Sequence, residues 1–134
     1  MANRKYDKYI LENVVEDSEY GKRFYIIGEK EFKSDYTAFI VAVTKPQIME
    51  PYAHAHDFDM YLHILKFEPA GLEEDLGAEI ELCLGEEQEK HLITKPTTVY
   101  IPAGMVHCPL EFKKITKPLL LIHTNRSSTY YKKS

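Results

Sequence analysis

Apolar and β-branched residues fall in short runs along this chain rather than in long helical stripes. The runs cover positions 23–27, 36–44, 61–67, 78–84, 91–94, 97–101, 106–112 and 119–124. Between them stand Gly28-Glu29-Lys30, Lys45-Pro46, Pro69-Ala70-Gly71, Gly85-Glu86-Glu87, Lys95-Pro96, Pro102-Ala103-Gly104 and Lys117-Pro118. Glycine admits φ > 0 and proline presets φ, so these clusters break the runs into separate segments. Many short segments rich in Val, Ile, Tyr, Phe and Thr predict an all-β sandwich or barrel. Residues 9–11 read as a further strand or turn, followed by an acidic turn. The best helix candidate, residues 72–76, is barely one turn. The seven prolines suit strand ends and edges, where a missing N–H costs no ladder hydrogen bond.

Composition narrows the partners. The 134 residues fit one domain with a sizeable core, and no repeat, linker or low-complexity tract divides them. Seventeen Lys and Arg stand against 21 Asp and Glu, a net charge of −4 with neutral histidine. No basic stripe is present, which argues against nucleic acid. The basic end, Tyr130-Tyr131-Lys132-Lys133-Ser134, reads as a solvated or frayed tail. The first residues are charged and lack an apolar signal core, and no apolar run approaches the length of a membrane span. Cys83 and Cys108 are too few for a disulfide framework, so a reducing, cytoplasmic setting is expected.

The candidate chemistry lies in two stretches. The first is Pro51-Tyr52-Ala53-His54-Ala55-His56-Asp57-Phe58-Asp59-Met60, and the second is Ile101-Pro102-Ala103-Gly104-Met105-Val106-His107. On one strand, period-two geometry would point His54 and His56 to the same face. The Pro-Ala-Gly turn would deliver His107 at the start of the next strand. Three imidazoles converging on one point make the core of a transition-metal site; imidazole suits Zn, Cu, Fe and Ni, and the expected cofactor is a divalent Fe, Mn, Ni or Zn ion. Asp57 and Asp59 flank the histidines and are candidate acceptors for imidazole N–H groups, or simply turn aspartates.

The spacing His54-x-His56-x3-Met60, then Pro102-x-Gly104-x2-His107, resembles the two motifs of the cupin superfamily over roughly residues 36–124. That resemblance implies a double-stranded β-helix, or jelly-roll barrel. It gives one cupin domain over 1–134, with the motif-bearing barrel at about 36–124 and an N-terminal strand segment at 1–35. It also implies that His54, His56 and His107 are metal ligands. Several positions depart from the pattern. Met60 stands where a glutamate ligand is usual, Ile48 and Pro96 replace glycines, and Glu111 sits where asparagine is common.

Glu81 is the candidate replacement, as metal ligand and general base. It would turn inward if Gly77 and Gly85 bracket its strand as the family's glycines do. Alternation alone says the opposite: Ile80, Leu82 and Leu84 inward, the glutamates in water. A site of three histidines without a carboxylate is the other reading. His63 has the wrong parity for the site, His91 follows a Glu-rich turn, and His123 could at most reach a pocket rim. Tyr52, Met60 and Tyr100 are candidates for the substrate pocket, with Phe58, Leu62, Ile64 and Met105 as further lining or core. Cys83 and Cys108 read as small buried apolar residues, and alternation would turn Cys108 away from the face of His107.

These readings favour a metal-dependent enzyme on a small oxygenated substrate, of dioxygenase, isomerase or lyase type. The alternative is a barrel that binds metal or small ligand without turnover. A metal-free structural dimer is the third possibility. A small-molecule ligand and a homodimer through the N-terminal segment are the expected partners, because jelly-roll edge strands need cover. The loop at residues 68–76 is long enough to lid the barrel mouth.

Overall fold

The computed structural model describes residues 4–68 and 72–127. The basic tail, and Pro69-Ala70-Gly71 of the proposed lid, lie outside the described residues. The strands are β1 (Arg23–Ile27), β2 (Thr37–Val43), β3 (Gln47–Met49), β4 (Met60–Lys66), β5 (Ala78–Leu84), β6 (Glu89–Ile93), β7 (Thr97–Ile101), β8 (His107–Ile115) and β9 (Leu119–Asn125). They form two antiparallel sheets, ordered β1-β2-β9-β4-β7 and β3-β8-β5-β6.

Burial follows strand parity. On β4, Met60, Leu62 and Ile64 are buried, while Tyr61 is exposed and His63 half-exposed. On β5, Ala78, Ile80 and Leu82 are buried; on β8, Cys108, Leu110 and Phe112. These inner faces meet in one apolar cluster between the sheets. Each fully buried Ile, Leu or Phe stabilises the fold by about 1.5–3 kcal/mol relative to exposure.

The differences from the sequence pattern have local causes. β3 is three residues long and buries only Met49, too little to show a period, yet it pairs Gln47, Ile48 and Met49 with Phe112, Glu111 and Leu110. Gly28 opens a single helical turn, α1 (Gly28–Glu31), rather than a simple reverse turn. A Cβ there would strike the carbonyl oxygens of Tyr36 and Ser34. Residues 72–76 form no helix. Leu76 instead plugs the core, and its N–H donates to the Thr94 carbonyl at 2.9 Å. Residues 9–11 form no strand; Tyr9 closes a 3-10 turn at Asp7–Tyr9 that buries no side chain, and Ile10 and Leu11 run on without regular structure.

Candidate metal centre

Backbone hydrogen bonds draw the two histidine stretches together. His54 and His107 form an antiparallel bridge, with His54 N–H to His107 O at 3.1 Å and His107 N–H to His54 O at 2.9 Å. Met105 N–H closes the Pro102-Ala103-Gly104 turn on the Pro102 carbonyl at 3.1 Å, and Gly104 takes φ +84° there. That conformation costs a glycine little and a β-carbon much. Gly104 N–H reaches the His56 carbonyl at 2.8 Å, and Ala103 N–H donates to Asp59 Oδ1 at 2.8 Å. Asp59 therefore ties one stretch to the other.

The three imidazoles converge. Ring centroids lie 4.5 Å apart for His54 and His107, 4.9 Å for His54 and His56, and 5.2 Å for His56 and His107. His56 and His107 are buried, and Phe58 stacks on His56 at 4.8 Å. Two carbonyls set tautomers. His107 Nδ1 lies 3.0 Å from Met105 O and His54 Nδ1 lies 2.9 Å from Tyr52 O. A carbonyl can only accept, so each Nδ1 carries the proton and each Nε2 keeps its lone pair. His107 Nε2 is buried with no hydrogen-bond partner. An unmatched buried acceptor costs about 1–3 kcal/mol, and metal-binding histidines show this arrangement: one nitrogen on a carbonyl, the other bare.

His123 joins this group. It lies on the inward parity of β9 with Leu119 and Leu121, opposite Phe39 on β2 and Leu62 on β4. Its ring stands 5.4 Å from that of Phe39. Burial pushes its pKa down to about 3, with His56, His107 and His54 adding repulsion. His107 is pushed down to about 4, again mainly by burial, with His54 and His56 contributing and the Met105 carbonyl opposing. Both rings are neutral at neutral pH, the form that binds metal. The expectation of at most a rim position for His123 is thus corrected; its strand parity was the overlooked signal.

Cys108 is a second correction. It takes φ +79° and keeps the buried parity of Leu110 and Phe112, and His107 beside it is buried as well. One donor atom from each of His54, His107 and Cys108 lies within 4.8 Å of the other two.

Glu81 is not brought to the centre. Its carboxylate is held by Lys113 Nζ at 3.0 Å and faces Lys90 Nζ at 3.9 Å, on the side of β5 opposite Ile80 and Leu82. The Lys113 hydrogen bond keeps its pKa below the usual carboxylate range. Apolar alternation, not the glycine match, set the face of this strand. Glu50 is the carboxylate at the cavity instead. It follows Met49 with φ +54°, a turn that no local pattern announced.

The cavity beside the histidines measures about 260 Å³, near the lower end of small-ligand pockets. Both sheets line it: Phe39, Val41, Met60, Leu62 and Leu121 from one, Met49 and Leu110 from the other. Tyr20, Arg23 and Glu50 supply polar groups, and Arg23 Nε is held by Glu16 Oε1 at 3.0 Å. Of the expected pocket residues, Met60 and Leu62 line this cavity. Tyr52 does not, being 82% exposed, although its carbonyl serves His54. Tyr100 pairs with Tyr61 on the outer face of its sheet, where burial and Asp59 raise its hydroxyl pKa. Ile64 is core, and Met105 packs against the core. His63 bonds Thr98 and His91 bonds Glu89, both away from the site. Glu68 is held by Lys66 and Lys117, and the described part of the 68–76 loop does not line the cavity.

No family model matches the sequence, and no curated protein matches it. Solved structures do. An RmlC-like cupin from Shewanella frigidimarina NCIMB 400 matches with TM-score 0.56 at 16% identity, over 86% of this chain and 84% of that one. HppE in its Fe(II) form matches with TM-score 0.55 at 15% identity, over 85% of this chain and 56% of that one. A Bacillus subtilis oxalate decarboxylase with Mn(II) centres matches with TM-score 0.58 at 8% identity, over 89% of this chain and 28% of that one. This chain therefore spans about half of HppE and under a third of the decarboxylase. With its two antiparallel sheets enclosing a histidine-lined cavity, the chain has the cupin fold.

Proposed function

We propose that this protein binds a divalent transition-metal ion through His54, His56 and His107, and acts as a metal-dependent enzyme on a small oxygenated substrate. The observation that carries the reading is the bare, buried Nε2 of His107 among imidazoles whose proton positions are already set. Fe, Ni and Zn suit imidazole donors, and Mn stays among the candidates because the fold neighbours include a Mn(II) protein as well as an Fe(II) one. Held by these residues, such an ion would supply Lewis-acid or, for a redox-active metal, redox chemistry. The chain's own residues do the rest. Met105 and Tyr52 carbonyls aim the rings, and apolar side chains make up much of the cavity wall. Arg23 and Tyr20 offer donors that orient an oxygenated substrate. With Glu81 on the outer face, a general base for isomerase or lyase chemistry falls to Glu50 or to His123, which burial keeps neutral.

Metal analysis of gently purified protein, followed by turnover assays on small hydroxy, oxo and carboxylic compounds, tests the reading. Metal uptake without turnover would favour the non-catalytic binding barrel. Less than about one-tenth equivalent of metal would remove the site, because a preformed histidine site binds detectably.

We also propose a homodimer. Tyr6, Tyr9, Ile10, Val14 and Val15 in the N-terminal segment are all more than half exposed, and β1 is a sheet edge. These exposed apolar side chains stand beside an edge strand that the segment's own Glu16 bridges at Arg23, and together they make a surface that a second copy would cover.

A further inference from the structure

We infer that Cys108 is itself a ligand, bound as thiolate beside His54 and His107, so that the centre is a mixed nitrogen–sulfur site. This rests on the metal-binding reading above. The geometry has three parts. Donor atoms of His54, His107 and Cys108 lie within 4.8 Å of one another. A tetrahedral ion with nitrogen at about 2.0–2.1 Å and sulfur at about 2.3 Å needs donor separations of roughly 3.3–3.7 Å. The group closes to that geometry with movements of about 1 Å. Second, Cys108 shares the buried parity of Leu110 and Phe112, and with φ +79° at Cys108 its neighbour His107 is buried as well. Third, His107 is 1% exposed, and its Nε2 has no hydrogen-bond partner among the described residues.

Charge supplies the reason. Three neutral imidazoles bring no charge to a divalent ion in a largely apolar cavity, where an isolated charge is costly, and the Glu50 carboxylate lines that cavity without belonging to the group of converging donors. Met60, Leu62 and Leu110 line that cavity, and the thioether of Met60 brings no charge. A thiolate at Cys108 brings one negative charge directly to the ion. Binding replaces the S–H proton, which passes to buffer, so uptake releases one proton from Cys108 per ion. The donor softness then selects among metals. Zn(II), Co(II) and Fe(II) are favoured, and Mn(II), which prefers oxygen donors, is disfavoured.

The test uses full-length protein freed of metal and titrated with Co(II). Wild type should take up one equivalent and develop a near-ultraviolet thiolate-to-Co(II) charge-transfer band. Cys83→Ser leaves Cys108 as the only thiol in the chain and should keep the band. Cys108→Ser should abolish it and weaken Co(II) binding more than about 100-fold, since even outer-sphere partners of ligands are worth about 10–100-fold. X-ray absorption on the Zn(II) form should show one sulfur at about 2.3 Å. If Cys108→Ser fails to fold, the band in Cys83→Ser decides. Co(II) uptake without a band, or a band lost in Cys83→Ser, overturns the thiolate while leaving the histidine site standing. Uptake without a band that is abolished by Glu50→Gln assigns the compensating charge to Glu50, which also overturns it. No uptake by wild type overturns both readings together.

Discussion

Acidification to about pH 5 should cost the metal-free protein roughly 4 kcal/mol of stability relative to about pH 7.5. His107 and His123 are neutral in the fold, with pKa values pushed down to about 4 and about 3. In the unfolded chain each returns to about 6.5. The sign follows. Folded values below unfolded ones mean that stability is complete above about pH 6.5 and is lost as pH falls toward the folded values. At pH 5 the folded rings remain neutral, so the cost is set by proton uptake in the unfolded chain. At about 1.4 kcal/mol per pH unit below 6.5, that is about 2 kcal/mol per ring. Asp17, Glu68 and Glu81 have lowered pKa values, so their contributions are lost only at more acid pH. Urea unfolding of chelator-treated protein, followed by circular dichroism at the two pH values, measures the effect. With an m-value of about 1–3 kcal/mol/M the midpoint should fall by roughly 1.3–4 M. His123→Leu should halve the pH-dependent loss. A loss below about 1 kcal/mol would refute the claim that these rings are buried and neutral.

Three further outcomes are expected. His56→Ala should strip most of the metal while His91→Ala keeps wild-type content, because His91 pairs with Glu89 on the surface; elemental analysis that finds the two variants equal would count against the site. Glu81→Gln should leave metal content and turnover unchanged, its carboxylate being engaged by Lys113; a drop in metal content would return Glu81 to the centre. Phe112→Ala, at a fully buried core position, should cost about 3–5 kcal/mol in denaturant unfolding, and a loss under 1 kcal/mol would mean the inter-sheet core is misassigned.

Period-two alternation, punctuated by glycine and proline, was enough to locate β1, β5 and β7 and most of the remaining strands. Wherever a strand has one wet and one dry face, a local pattern records which side is buried. The same rule placed Glu81 outside, against the glycine match that would have turned it inward. The motif spacing also singled out His54, His56 and His107, whose rings converge in the fold, because a Pro-x-Gly turn before a histidine is a local instruction.

Three features needed the tertiary structure. His123 carried the inward parity, but only the packing of β9 between β2 and β4 shows which end of that strand meets the other histidines. Glu50 and Cys108 adopt positive φ, a conformation that side-chain patterns assume does not occur. At such residues alternation alone is no guide, and the direction of a side chain is decided by pairing and packing across the chain. Glu50 and Cys108, the groups brought beside the imidazoles, sit at such points, so the sequence by itself determined the scaffold and the imidazoles. The fold alone decided what stands beside them.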